Sequence, residues 1–194
     1  MKSKKQAIRL KQQRKQMITR LALGGVVVLV LGLIAFTIVN RPVEVNNQAI
    51  PVMPDTSHVA ERTDPGPYNS DPPTSGRHYA ETYKAGFYAE DALEVRQPFP
   101  EGHLVHNLEH GYVIFWYNCK LLSAEECSDL KAQIQQVMDK ERNNKLIAFP
   151  RDTLEVPVVM TTWGQMLKLE TFDSKIALAF IQRFRNKAPE PNAP

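Results

Sequence analysis

The chain has 194 residues and a formal net charge of +3, but the charge is divided: residues 1–20 carry eight Lys or Arg and no acidic residue, while residues 42–194 carry 15 basic against 21 acidic residues, net −6. That length admits one ordinary domain and an appendage. A net-acidic domain is a poor partner for nucleic acid, and whatever phosphate-binding capacity exists is confined to the basic tail.

Taken in chain order, the tail 1–20 is followed by Leu21 to Val39, LALGGVVVLVLGLIAFTIV, 19 residues without a charge. At about 1.5 Å per residue such a helix crosses a hydrocarbon core of about 30 Å. Lys and Arg beside a span resist translocation, which predicts a single-pass protein of the cell membrane. Its N terminus is then cytoplasmic and its C-terminal domain extracytoplasmic. The partners expected are the lipid bilayer along 21–39 and anionic lipid headgroups at the tail; no protein partner is named by the pattern. A cleaved signal peptide is the rival reading, but its apolar region is typically about 7 to 15 residues, and here a longer run ends in Asn40, Arg41 and Pro42.

Residues 40–61 are rich in proline and polar side chains and read as an extracytoplasmic linker, with the globular domain expected over 62–188. Tyr68 to Gly76, YNSDPPTSG, is a second irregular stretch, dense in turn formers. From Leu104 the pattern becomes regular. LVHNLEH is a short helical segment closed by Gly111, and YVIFWY predicts a buried central strand over 112–117. Ser123 with Glu126 is a capping-box signature opening an amphipathic helix over 124–142. LIAF (146–149), VPVVMTTW (156–163) and QMLKLE (165–170) read as three further strands, Asp173 caps a last helix through Asn186, and residues 189–194 read as a disordered tail. This order gives an α+β domain with a small mixed or antiparallel sheet, its two long helices on one side, preceded by a long ordered loop region. Some 35 residues of loop, from Tyr68 to Gly102, are where function is expected, with their tyrosines packing on the sheet.

All five histidines fall between positions 58 and 110. His103, His106 and His110, spaced by three and four, share one face if helical, and neutral imidazoles are good ligands for copper or zinc. The expected site joins His106 and His110 with His78, brought in by the turn PPTSG, over the start of the 112–117 strand. The same segment spells H-x-x-E-H, the string in which inverted zinc peptidases use two histidines as ligands and a glutamate as base; Glu109 would then be catalytic. Against that, the string is cut short by Gly111. Histidines beside a loop-covered sheet also serve as hydrogen-bonding buttresses, and that reading stays open. Cys119 and Cys127 lie where an oxidising compartment permits a disulfide, the alternative being two packed thiols. No nucleophile elbow, phosphate loop or dinucleotide fingerprint is present.

YNSDPPTSGRHY (68–79) and LVHNLEHGYVIFWY (104–117), followed by AFPR (148–151), TTWG (161–164) and the closing helix, resemble the bacterial domain-of-unknown-function 3105 family over about residues 62–188. The resemblance implies a membrane-anchored extracytoplasmic domain with His78, His106, Glu109 and His110 on motif positions, and it implies no activity. Arg77 stands where proline is expected, while His103 and both cysteines lie outside the motifs. The function expected from all this is a non-enzymatic binding or accessory module with a histidine-based metal or ligand site. The alternatives are a metal-dependent hydrolase using His106, Glu109 and His110, and a structural scaffold of a membrane complex.

Overall fold

The uninterrupted apolar run in mid-sequence becomes the innermost strand of a six-stranded mixed sheet. The computed structural model describes residues 14, 15, 17, 23–25, 29–37 and 43–193, and its contacts divide the chain into two units, 1–42 and Val43–Pro194. In the first unit residues 23–25 and 29–37 are helical, and Leu29, Leu31, Leu33 and Phe36 are exposed. Among the described residues no helix is long and apolar enough to cross a membrane. Residues 21, 22, 26–28, 38 and 39 of the expected span 21–39, and most of the tail 1–20, lie outside the described residues.

In the second unit the elements are β1 (Gln48–Ala49), β2 (Gly86–Phe87), α1 (Glu101–Glu109), β3 (Val113–Tyr117), a 3-10 turn (Cys119–Leu121), α2 (Ala124–Lys140), β4 (Leu146–Pro150), β5 (Val158–Thr162), β6 (Gln165–Leu169) and α3 (Ser174–Phe184). The sheet order is β1-β6-β5-β3-β4-β2. β3 runs parallel to β4 and antiparallel to β5, and β6 hairpins back on β5. Every residue of β3 is buried, as a strand covered on both faces requires.

The period of two divides β3 between two cores. Val113, Phe115 and Tyr117 meet Leu130, Ile134, Val137 and Met138 of α2 and Ala177, Phe180 and Ile181 of α3. α2 opens with the capping box of Ser123 and Glu126, and Asp173 caps α3 through the Lys175 and Ile176 amides. Ile114 and Trp116 face the other way, onto Leu104 and Leu108 of α1, Tyr83, Tyr112, Ile147 and Phe149. The two long helices, α2 and α3, share the first face as expected, while the short α1 and the irregular chain cover the second. The tyrosines of that chain do pack on the sheet, with the Tyr83 and Tyr88 rings 6.1 and 5.7 Å from Phe149.

Three segments differ from expectation. Residues 40–61 are not wholly a linker: Val45 is buried, Asn47 Nδ2 donates to Gln165 Oε1 at 2.6 Å, and β1 adds an antiparallel edge to β6. β2 adds the opposite edge beside β4. Two-residue strands carry no readable period, so neither edge is legible from pattern. The C-terminal tail is tied down rather than disordered. Glu190 N–H donates to Glu109 O at 3.0 Å, and Lys145 Nζ donates to His110 O, Pro191 O and Ala193 O at 2.8–2.9 Å.

Candidate metal-binding site

α1 carries the centre of the site because its two faces do different work. Leu104 and Leu108, four apart, bury against the sheet, and Asn107 ties the loop in, donating to Tyr83 O and accepting from Tyr83 N–H. His106 and Glu109, three apart, share another face. The helix stops where glycine permits. Gly111, at φ +83°, gives its N–H to Leu108 O while Tyr112 N–H reaches Asn107 O, the paired bonds of a Schellman cap. A Cβ on Gly111 would also lie 2.6 Å from Asn186 Cα.

His78 arrives from the 68–79 loop. Gly76 lies at φ +126°, and a Cβ there would press on the Tyr68 ring at 2.9 Å. Ser75 accepts from Met53 N–H, in keeping with a turn former. Arg77, where proline is expected, anchors the turn by donating to the Pro65 and Gly66 carbonyls. A parallel bridge then pairs residue 78 with residue 58, placing His58 beside it.

The His58, His78 and His106 rings form a triangle with centroids 4.8, 5.0 and 4.9 Å apart. With Glu109 these residues offer four ligand atoms within 4.8 Å of one another. His78 is fully buried, His106 nearly so, the Glu109 side chain 12% exposed, and His58 exposed. His78 Nδ1 lies 2.9 Å from Gly76 O, which can only accept, so Nδ1 carries a proton and Nε2 is the ring nitrogen that faces the cluster. Nε2 stands 3.0 Å from Glu109 Oε2, yet in no hydrogen-bond geometry with it, and Nε2 has no other partner. His106 Nδ1 is likewise buried without a hydrogen bond. Burial first, then the neighbouring imidazoles of His110, His78 and His58, push His106 down to about 4, so it is neutral at physiological pH. Two buried imidazole nitrogens without hydrogen bonds, one of them against a carboxylate oxygen, are a donor set that could hold a cation.

Of the expected trio, His78 and His106 lie together, and the residues grouped with them are His58 and Glu109 rather than His110. From His106, residue 109 lies about 60° to one side around the helix and residue 110 about 40° to the other. The His78 loop arrives on the Glu109 side. His110 is the C-cap, its ring edge-on to His106 at 4.4 Å and its Nε2 3.5 Å from Glu190 Oε2. His103 is a buttress: it stacks on Tyr83 at 4.4 Å and donates from Nδ1 to Glu81 O at 2.8 Å. His58 lay in the expected linker. Its signal was membership of the single run holding every histidine, since nothing in its own neighbourhood marks it. Cys119 and Cys127 are joined by a disulfide tying the 3-10 turn to α2, which removes both sulfurs from any ligand set with nearby Glu90.

A family model described as a protein of unknown function, DUF3105, matches residues 58–194, which contain all four residues of the cluster. No curated protein and no solved structure matches the chain.

Proposed function

Because the chain belongs to the DUF3105 family, whose function is unknown, we propose its function from the site itself: it is a membrane-anchored, extracytoplasmic accessory module that binds one divalent zinc or copper ion through His58, His78, His106 and Glu109. The observation carrying this reading is the buried His106 Nδ1 without a hydrogen bond, beside a buried His78 Nε2 whose one polar neighbour is the Glu109 carboxylate. Three nitrogens and one oxygen suit zinc or copper, whereas magnesium and calcium prefer oxygen alone. The Gly76 carbonyl on His78 Nδ1 is the kind of outer hydrogen bond that fixes the tautomer of a ligating imidazole. The anchor rests on the uncharged run 21–39 and the bare basic tail, which direct the tail to anionic headgroups and the domain outward.

Elemental analysis of the full chain after incubation with zinc or copper tests the site. One equivalent per chain is expected in wild type and none in a His78→Ala, His106→Ala double variant of unchanged circular dichroism. Metal-free wild type would return these histidines to loop buttresses. Protease added to cells stripped of outer layers should remove the domain and spare residues 1–20; a protected C terminus reverses the topology. A hydrolase with Glu109 as base needs that carboxylate off the metal, whereas the binding reading counts it among the ligands.

A further inference from the structure

The four side chains are not held alike. His78 is buried with its ring pinned to Gly76 O, and His106 and Glu109 ride on one helical turn locked by its glycine cap. His58 is exposed, and its stretch of chain meets His78 through two backbone bonds, Val59 N–H to His78 O at 2.8 Å and His78 N–H to Ser57 O at 3.3 Å. The ligand atoms all lie within 4.8 Å of one another. Two ligands each about 2.0 to 2.1 Å from one ion can stand no more than about 4.2 Å apart. Of the four, His58 is the one exposed to solvent, its ring packed only on its inner side against His78 and His106, so it is the ligand with room to adjust when an ion binds.

Building on the metal-binding reading, we propose that this is an exchange site: His78, His106 and Glu109 form an inner pocket that receives divalent zinc or copper through His58, which closes on the ion from the solvent side and yields first to an incoming ligand. The step is a substitution. The metal–nitrogen bond to His58 breaks as the bond to the incoming donor forms, the ion stays divalent, and no electron moves. A site enclosed on all sides releases its ion only when it opens by itself. A site with one displaceable outer ligand passes the ion on in proportion to the acceptor offered, which is the behaviour an acquisition or delivery module requires.

The test loads the full chain with one equivalent of zinc, and separately copper, then mixes it with a chromophoric chelator at increasing excess. Release should accelerate in proportion to chelator concentration. His58→Ala should still take up the ion, with affinity lowered at least about ten- to a hundredfold, the loss usual for merely outer-shell partners, and with faster release. His78→Ala should lower affinity further. Release independent of chelator concentration overturns the exchange role and leaves the metal site standing. So does a His58→Ala variant that either matches wild type or takes up no metal at all. Wild type that takes up neither ion overturns the site itself.

Discussion

The two faces of the central sheet are covered by opposite means. On one, α2 and α3 lay apolar stripes over Val113, Phe115 and Tyr117, and the packing follows from periodicity. On the other, α1 shares the work with irregular chain held residue by residue: Asn107 on the Tyr83 backbone, the Tyr79 hydroxyl on Thr63 O at 2.8 Å, Arg151 on Asp71 and Glu101. The first face holds the fold, and the second holds the histidines. A ligand site needs side chains from distant parts of the sequence at fixed angles, and only chain released from a regular period can bring His58 and His78 to the end of a helix.

The comparison breaks first at the helical face. Phe180 is fully buried between α3 and the sheet, and Phe180→Ala should cost about 3 to 5 kcal/mol in denaturant titration. Zinc or copper uptake by the fraction that remains folded should be unchanged, since no cluster residue touches that core. A parallel loss of metal affinity in folded protein would mean the two faces are not separable.

Arg151 sharpens the comparison from the other side. Its guanidinium pairs with Asp71 of the 68–79 loop and Glu101 at the start of α1, and stacks 5.5 Å from the Trp116 ring. Arg151→Ala should cost about 1.5 to 3 kcal/mol, the range for hydrogen bonds to charged groups. Unlike Phe180→Ala it should also weaken metal affinity, because it loosens the two segments carrying His78 and His106. Equal metal affinity in the two variants would remove the distinction.

What could be read from sequence follows the same division. YVIFWY, the capping box at Ser123 and Glu126, and the stripe of α3 each state their structure locally, and these elements fall within a few residues of expectation. The second face is written in relations between distant residues. His106 and His78 were legible as candidates, but the choice between Glu109 and His110 turns on which side of α1 a loop approaches, and no local spacing encodes that. His58 depends on a bridge twenty residues long in sequence separation, and the tail depends on one lysine finding three carbonyls.

The histidine cluster gives the two faces different pH responses. His106 is held down at about 4 in the folded, metal-free protein against an ordinary 6.5, so above 6.5 it is neutral whether folded or not. Below 6.5 the unfolded chain takes up a proton that the folded chain refuses, and stability falls as pH drops toward 4. At pH 5 the loss should be about 1 to 2 kcal/mol, allowing for solvent access to the site, at 1.36 kcal/mol per pKa unit. His106→Asn should flatten that part of the stability-against-pH curve. An unchanged slope would place the acid sensitivity elsewhere.

The smallest effect expected comes from Lys145, at the seam between the C-terminal tail and the end of α1. Its ammonium donates to the carbonyls of His110, Pro191 and Ala193, and burial lowers its pKa. Three charge-assisted bonds would suggest a large contribution, but what they order is a short tail whose release recovers conformational entropy of about 1 to 2 kcal/mol per residue. The opposing terms nearly cancel, so Lys145→Met should cost about 1 kcal/mol or less in global stability. Its local effect should be larger. The Glu190 amide, now donating to Glu109 O, should lose hydrogen-exchange protection, and the Glu190 carboxylate should leave His110. Metal affinity should hold within a few-fold, because His110 stands outside the four proposed ligands. If Lys145→Met instead abolished metal uptake, the tail would be part of the site's frame, and the second face would extend to the C terminus.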